Sequence, residues 1–509
     1  MLSRYELQLA ELLAQKSLKK LDASRKGLQE LPQEIGRSKG MKQLNVEDNR
    51  LRDLPDSLAN LGQLEWLDIS DNQLSPLPKV LLQLKRLRWL DLSNNGLQEL
   101  PEDLAAWEEL KRLDLKNNQL KELPASVGQL KALRKLLLER NQLTALPTSF
   151  AQLEQLQQLD LSENALAQLP QEIGQLKALE QLSISANPIS QLNEVLGQLN
   201  KLEELQAEGL GLKELPKAIG QLQNLQSLFL GYNRLKKLPE EVGECAALEQ
   251  LDLGNNRLEK LPLNLARCQN LKVLNLEDNP LGELPLMLQE IQELEELDMS
   301  NCNLADLGQG LALPALHWLD LSANQLRNLP DNFGQLTAIT WLDLRDNQFQ
   351  KWPSPLNELA QIQQLLLAGN FLRQIDLNDL DWPELEELDL SKNELSELLG
   401  GWDKLPQLRQ LNLEKNQLAQ LPENWRPLSN LEELDLSDNQ LKTLPQSLGE
   451  LDQIQWLDLR NNQFTDFPQA LVPLAGQLQN LYLSDNDWTE EALALWKSHF
   501  KSAIMDLEL

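Results

Sequence analysis

Apolar residues recur along this chain in one fixed frame, L-x-x-L-x-L-x-x-N-x-L, with polar residues in the gaps. Leu64, Leu67, Ile69, Asn72 and Leu74 form one copy, and Leu431, Leu434, Leu436, Asn439 and Leu441 another. There are 21 copies, the first opening at Leu18 and the last at Leu478. The step is 23 residues from Leu18 to Leu294, 22 to Leu316, 23 again to Ile454, and 24 to Leu478. Within a frame, positions 4 and 6 point inward and position 5 outward, the period of a strand. Stacked copies predict a parallel sheet, which at roughly 4.8 Å per strand is a face on the order of 100 Å long.

Two other features fit a stack of coils. Asn fills position 9 in 18 of the 21 copies. Its amide both donates and accepts, so a buried row of them can satisfy backbone groups of its own coil and of the next. Between frames runs an LP step followed by an IG step, as at Leu169, Pro170, Ile173 and Gly174. Proline fixes φ and removes a donor on that irregular return.

These residues resemble the leucine-rich repeat superfamily. The 23-residue length and the LP step are similar to the intracellular type of Ras-suppressor-like and bacterial repeat proteins. The resemblance implies an α/β solenoid, a horseshoe whose concave side is a parallel β-sheet of about 21 strands. Open ends of such a stack require caps. Leu2, Tyr5, Leu9, Leu12 and Leu13 predict a capping helix over 1–17. Thr489 as N-cap, with Leu493, Trp496, Phe500, Ile504 and Leu507, predicts another over 489–509. The solenoid itself runs over 18–488, leaving no separate domain for chemistry.

Composition narrows the function. With 47 basic against 77 acidic side chains, the net charge is −30, which disfavours nucleic acid and anionic membranes and fits a partner with a basic face. Two His and three Cys leave little for a metal site or a thiol nucleophile, and no cofactor is expected. Cys245 and Cys268 share one inward slot of adjacent copies and read as buried thiols in place of Leu; a disulfide would require their Cα atoms within about 7 Å. Cys302 takes the Asn slot. No phosphate-binding glycine motif occurs. The N-terminus lacks a secretory pattern and no run reaches the roughly 18 apolar residues of a membrane span, so the expected compartment is the cytoplasm, with export lacking a cleaved signal left open.

The outward positions carry the candidate site. Five Trp share position 3: Trp66, Trp89, Trp318, Trp341 and Trp456. Trp66 and Trp89 are in adjacent copies, as are Trp318 and Trp341, so each pair should lie side by side on the concave face. Phe229, Tyr232, Leu137, Leu366 and Tyr482 add apolar groups there. Exposed Trp and Tyr bury much area for little rotamer entropy, the property of interface anchors. Asp fills position 5 in 12 copies, Asp320 and Asp343 among them. This is the default strand text, a negative field along the face, or both, because the default text is itself acidic. Arg88, Lys111, Arg112, Arg134, Lys135 and Arg140 form a basic island, while Glu386, Glu387, Glu432 and Glu433 make later copies acidic.

The reading is a non-catalytic scaffold that binds a protein through this face. A signalling or small-GTPase assembly follows from the family likeness. Alternatives are a carbohydrate or surface-adhesion module and a secreted bacterial effector. An enzyme is disfavoured, because an open row of like charges neither excludes water nor separates pKa values.

Overall fold

A computed structural model describes residues 4–15, 17–500 and 504–506. The chain divides into two compact units, 1–257 with 261–268, and 258–260 with 269–509. Each is a stack of the same coil. A three-residue strand leads to a turn, an extended return reaches proline, and a short 3-10 helix leads to the next strand.

In the first unit the repeat strands run from Lys20–Asp22 to Gln250–Asp252, every pair parallel and stepping one repeat. In the second they run from Val273–Asn275 to Asn480–Tyr482, closing with a further parallel strand, Ile504–Asp506. The frame leucines fill the interior: Leu64, Leu67, Ile69 and Leu74 are fully buried, as are most of their counterparts.

The asparagine row works as expected. Asn72 accepts from the Leu51 N–H at 2.9 Å and donates to the carbonyls of Val46, Ile69 and Ser70, tying each coil to the one before. Where Cys302 replaces Asn, its Sγ donates to the Leu276 carbonyl 26 residues upstream, the same spacing as Asn72 to Val46. Leu210, in that slot of the ninth copy, has no amide to give. On the return side, Pro170 precedes the 3-10 helix Gln171–Gln175. A Cβ on Gly174 would lie 2.7 Å from Val195 Cγ1, so glycine lets neighbouring coils close.

Cys245, Cys268 and Cys302 are free thiols. Burial is the first cause raising their pKa values, to about 12, 11 and 12. Two adjacent copies lack the LP step, with Ile375-Asp376 and Leu398-Leu399 in its place, and there Gln374–Ile375 and Glu397–Leu398 pair as a small second parallel sheet.

At the ends the expectation needs one correction. The first helix spans Arg4–Gln15, with Leu9 and Leu13 buried but Leu12 exposed; Leu2 and the Tyr5 side chain lie outside the described residues. The second helix spans only Glu490–His499, N-capped by Thr489, whose side chain accepts from Ala492 N–H. It ends before the strand Ile504–Asp506. Trp496 and Phe500 are buried against Phe467, and the chain then returns to pair Ile504–Asp506 with Asn480–Tyr482. Covering the open sheet edge supplies backbone partners that a longer helix would not. Leu507 lies outside the described residues.

Candidate functional site

Position 3 side chains emerge from the strands on the face opposite the leucine core, and strand pairing brings equivalent positions together. In the first unit Trp66 pairs in register with Trp89, Trp89 with Arg112, and Arg112 with Lys135. The two indoles stack with centroids 4.4 Å apart and planes 10° from parallel. The Arg112 guanidinium lies 5.5 Å from the Trp89 ring centre. Phe229 is half-buried on its strand. Tyr232 is 68% exposed and sits at position 8, where the backbone has φ 56°. Other copies make the same left-handed turn with Asp or Asn, as at Asp71 and Asn94, or with other residues, as at Arg140, Glu163 and Lys392. Tyr232 also lines a hollow of about 450 Å³ together with Ala186, Gln206, Glu208 and Gly209.

In the second unit Trp318 and Trp341 repeat the stack at 4.5 Å and 4°. Trp456 meets Tyr482 at 5.6 Å and 53°, and Arg460 lies 5.0 Å from the Tyr482 ring centre. All five position 3 indoles are half-buried. A hollow of about 160 Å³ is lined by Glu387, Asp389, Gln410, Asn412, Glu433, Asp435 and Trp456.

The aspartate row has a structural task that its regularity alone did not reveal. All 12 position 5 Asp accept a hydrogen bond from the backbone N–H two residues on, as Asp68 does from Ser70 and Asp320 from Ser322. Asn45, Asn275 and Asn412 do the same. The carboxylate therefore closes the turn out of the strand.

Asp343 is the clearest departure from the expected site. It is fully buried beneath Arg345, whose Nε and Nη2 reach its Oδ2 at 2.7 and 2.5 Å, so it presents no carboxylate to a partner. Asp458 is held the same way by Arg460. The signal was in the text: positions 5 and 7 both face outward, so Asp followed two residues later by Arg places the pair side by side.

Asp320, in contrast, is only partly covered. Burial first, then the Asp343 and Asp298 charges, push it up to about 6 against the Ser322 hydrogen bonds. Asp435 reaches about 6 through burial, with Asp458 and Glu414 adding. Glu387 is raised by burial and by Asp389, with Arg345 opposing.

The basic island is partly neutralised: Arg88 pairs with Glu65 and Glu109, Arg112 with Asp114, and Arg140 with Glu163. Among the described residues no group of three His, Cys, Asp or Glu could hold a metal. No described helix is long and apolar enough to cross a membrane. The faces are open and suited to contact.

Comparison with known proteins agrees with this architecture. A model described as Leucine rich repeat matches residues 16–74, 144–189, 292–349, 360–418 and 429–487. A Leucine-rich repeat region model matches 76–165, and a model of two Leucine Rich repeats matches 223–265. No curated protein is matched. Among solved structures, YopM from Yersinia enterocolitica is 27% identical, with 94% of each chain covered and a TM-score of 0.65. The Arabidopsis receptor kinase HAESA, in complex with the peptide hormone IDA and the co-receptor SERK1, is 26% identical; 97% of this chain and 92% of that one are covered, with a TM-score of 0.56. The plant peptide hormone receptor RGFR1, in complex with RGF2, is 25% identical over 96% of this chain and 91% of that one, with a TM-score of 0.58.

Proposed function

This chain belongs to the leucine-rich repeat family, whose domains generally serve as protein-interaction scaffolds, and from that premise we propose that it binds a protein partner, without catalysis, on its open sheet face. Trp66/Trp89 and Trp318/Trp341 are the anchors. The observation that carries this reading is the pair of face-to-face indole stacks, at 4.4 and 4.5 Å, left half-exposed on strands whose other face is fully buried. Aromatic edges presented from a rigid sheet give contact area with little entropy to lose. Around Trp456, the carboxylates of Glu387, Asp389, Glu433 and Asp435 favour basic side chains of the partner. HAESA and RGFR1, which hold peptide hormones, support protein recognition over other uses.

The stacking also weighs against a carbohydrate module. A sugar ring lies on an open aromatic face, and here each indole spends one face on its neighbour. The 23-residue repeat supports an intracellular type, Ras-suppressor-like or bacterial, and a small GTPase or another signalling protein is the first partner to try. Three free buried thiols fit a reducing compartment, the cytoplasm.

The test is capture of the partner from the native cell, followed by its binding to W66A/W89A and W318A/W341A variants whose circular dichroism matches wild type. Loss of tenfold or more in affinity supports the anchors. Unchanged binding by both removes them.

A further inference from the structure

Position 3 of the first unit continues past the indoles into charge. Trp66, Trp89, Arg112 and Lys135 follow one another on four adjacent strands, a span of roughly 14 Å, or four to five extended residues. Lys111 and Arg134 stand beside Arg112 and Lys135 at position 2, both exposed. The N–H groups of Arg134 and Lys135 both donate to the Lys111 carbonyl, at 2.8 and 3.0 Å, which fixes these strands together. Four cations are thus gathered in a chain of net charge −30.

Their compensation is incomplete. Arg112 reaches Asp114 Oδ2 at 3.2 Å, but its buried Nε has no hydrogen-bond partner. Lys116 is taken by Glu139 and Asp160. Among the described residues no carboxylate comes within ion-pair distance of Lys111, Arg134 or Lys135. The strand of Lys135 carries Leu137 where most copies carry Asp, so it supplies no carboxylate of its own at position 5. Burial, and then repulsion from Arg112 and Lys116, lower the Lys135 pKa despite Asp114 and Asp160. Like charges held together with too few counter-charges favour an anion placed among them.

We propose that this part of the face docks an acidic, extended peptide segment of the partner, with its carboxylates on Lys111, Arg134 and Lys135 and an apolar side chain against Trp66 and Trp89. The proposal rests on the sheet face being the partner-binding face and names the chemistry that its first unit selects. Nucleic acid is the competing anion; with a charge on every nucleotide and a longer reach it meets more of the repulsion of the whole chain than a short acidic segment does.

Fluorescence anisotropy with labelled octapeptides tests it: one Glu-rich, one Gln-rich and one Lys-rich, each with a single Phe, beside an oligothymidylate of equal length. The Glu-rich peptide is expected to bind at least tenfold tighter than the other two and the oligonucleotide, and to weaken as salt is raised. K111E/R134E/K135E should lower its affinity at least tenfold. Reversing three cations elsewhere, K213E/K236E/K237E, makes the same change in net charge and should alter it less than twofold. The proposal is overturned if the Glu-rich and Gln-rich peptides bind alike, if the oligonucleotide binds as well, or if K111E/R134E/K135E binds like wild type. A captured partner lost by W66A/W89A but kept by K111E/R134E/K135E would overturn this inference alone. A partner kept by those variants and by W318A/W341A would overturn the reading of the face.

Discussion

Replacing Asn347 by Ala tests whether the asparagine row holds the coils together. Asn347 is 3% exposed. Its Oδ1 accepts from the Leu326 N–H at 3.0 Å, and its Nδ2 donates to the carbonyls of Leu321, Leu344 and Arg345 at 2.9, 3.1 and 3.2 Å. These losses are unequal. The Leu321 carbonyl keeps Asn324, the Leu344 carbonyl keeps Asn370, and the Arg345 carbonyl keeps the Ala323 N–H. Leu326 N–H loses its acceptor in a dry interior, which costs about 1–3 kcal/mol. The three weakened carbonyls together add about 1–2 kcal/mol. N347A should therefore destabilise by about 2–5 kcal/mol. Urea unfolding followed by Trp fluorescence measures the sum. Hydrogen exchange locates it, because a repeat array opens first at its weakened interface; amides over 316–347 should exchange fastest. A change under about 0.5 kcal/mol with unaltered exchange would refute the assignment.

Two further outcomes follow from the carboxylates. R345A removes the charge-assisted hydrogen bonds that seal Asp343 and opens its carboxylate to water, and should cost about 1.5–3 kcal/mol in the same unfolding assay, whereas R373A, which breaks the exposed pair with Glu394, should cost under about 1 kcal/mol. Asp320 and Asp435 rise from 3.8 to about 6 on folding, so the stability they contribute is full below about pH 4 and lost as pH rises through 6. Asn keeps the turn, as the neighbouring Asn412 does, so D435N should raise the melting temperature by about 1–3 °C near neutral pH and by nothing near pH 4. An equal gain at both pH values would contradict the shifted pKa.

Much of this was legible in the sequence because one text repeats. The strands, their register, the asparagine row and the adjacency of Trp66 with Trp89 and of Trp318 with Trp341 all follow from spacing alone. What spacing could not supply was the difference between copies. Asp320 and Asp343 look alike as text, yet Arg345 seals one and Ser322 leaves the other partly open. The helix after Thr489 reads as continuous because Trp496, Phe500 and Ile504 share a stripe, but a strand edge needing partners outcompetes a helical stripe. The left-handed turn that exposes Tyr232 depends on a backbone angle that no apolar pattern encodes. The pairing of Gln374–Ile375 with Glu397–Leu398 joins two adjacent copies that both lose the LP step, and the loss alone does not say that a strand replaces it.

The central claim, that the strand-borne indoles meet the partner, is tested most directly by hydroxyl-radical footprinting of the chain alone and in complex with its captured partner. Oxidation at Trp66, Trp89, Trp318 and Trp341 should fall several-fold on binding, while Leu263 and Phe371, exposed away from the strands at 74% and 46%, keep their rates. Protection at Leu263 or Phe371 with the four indoles unchanged would contradict it.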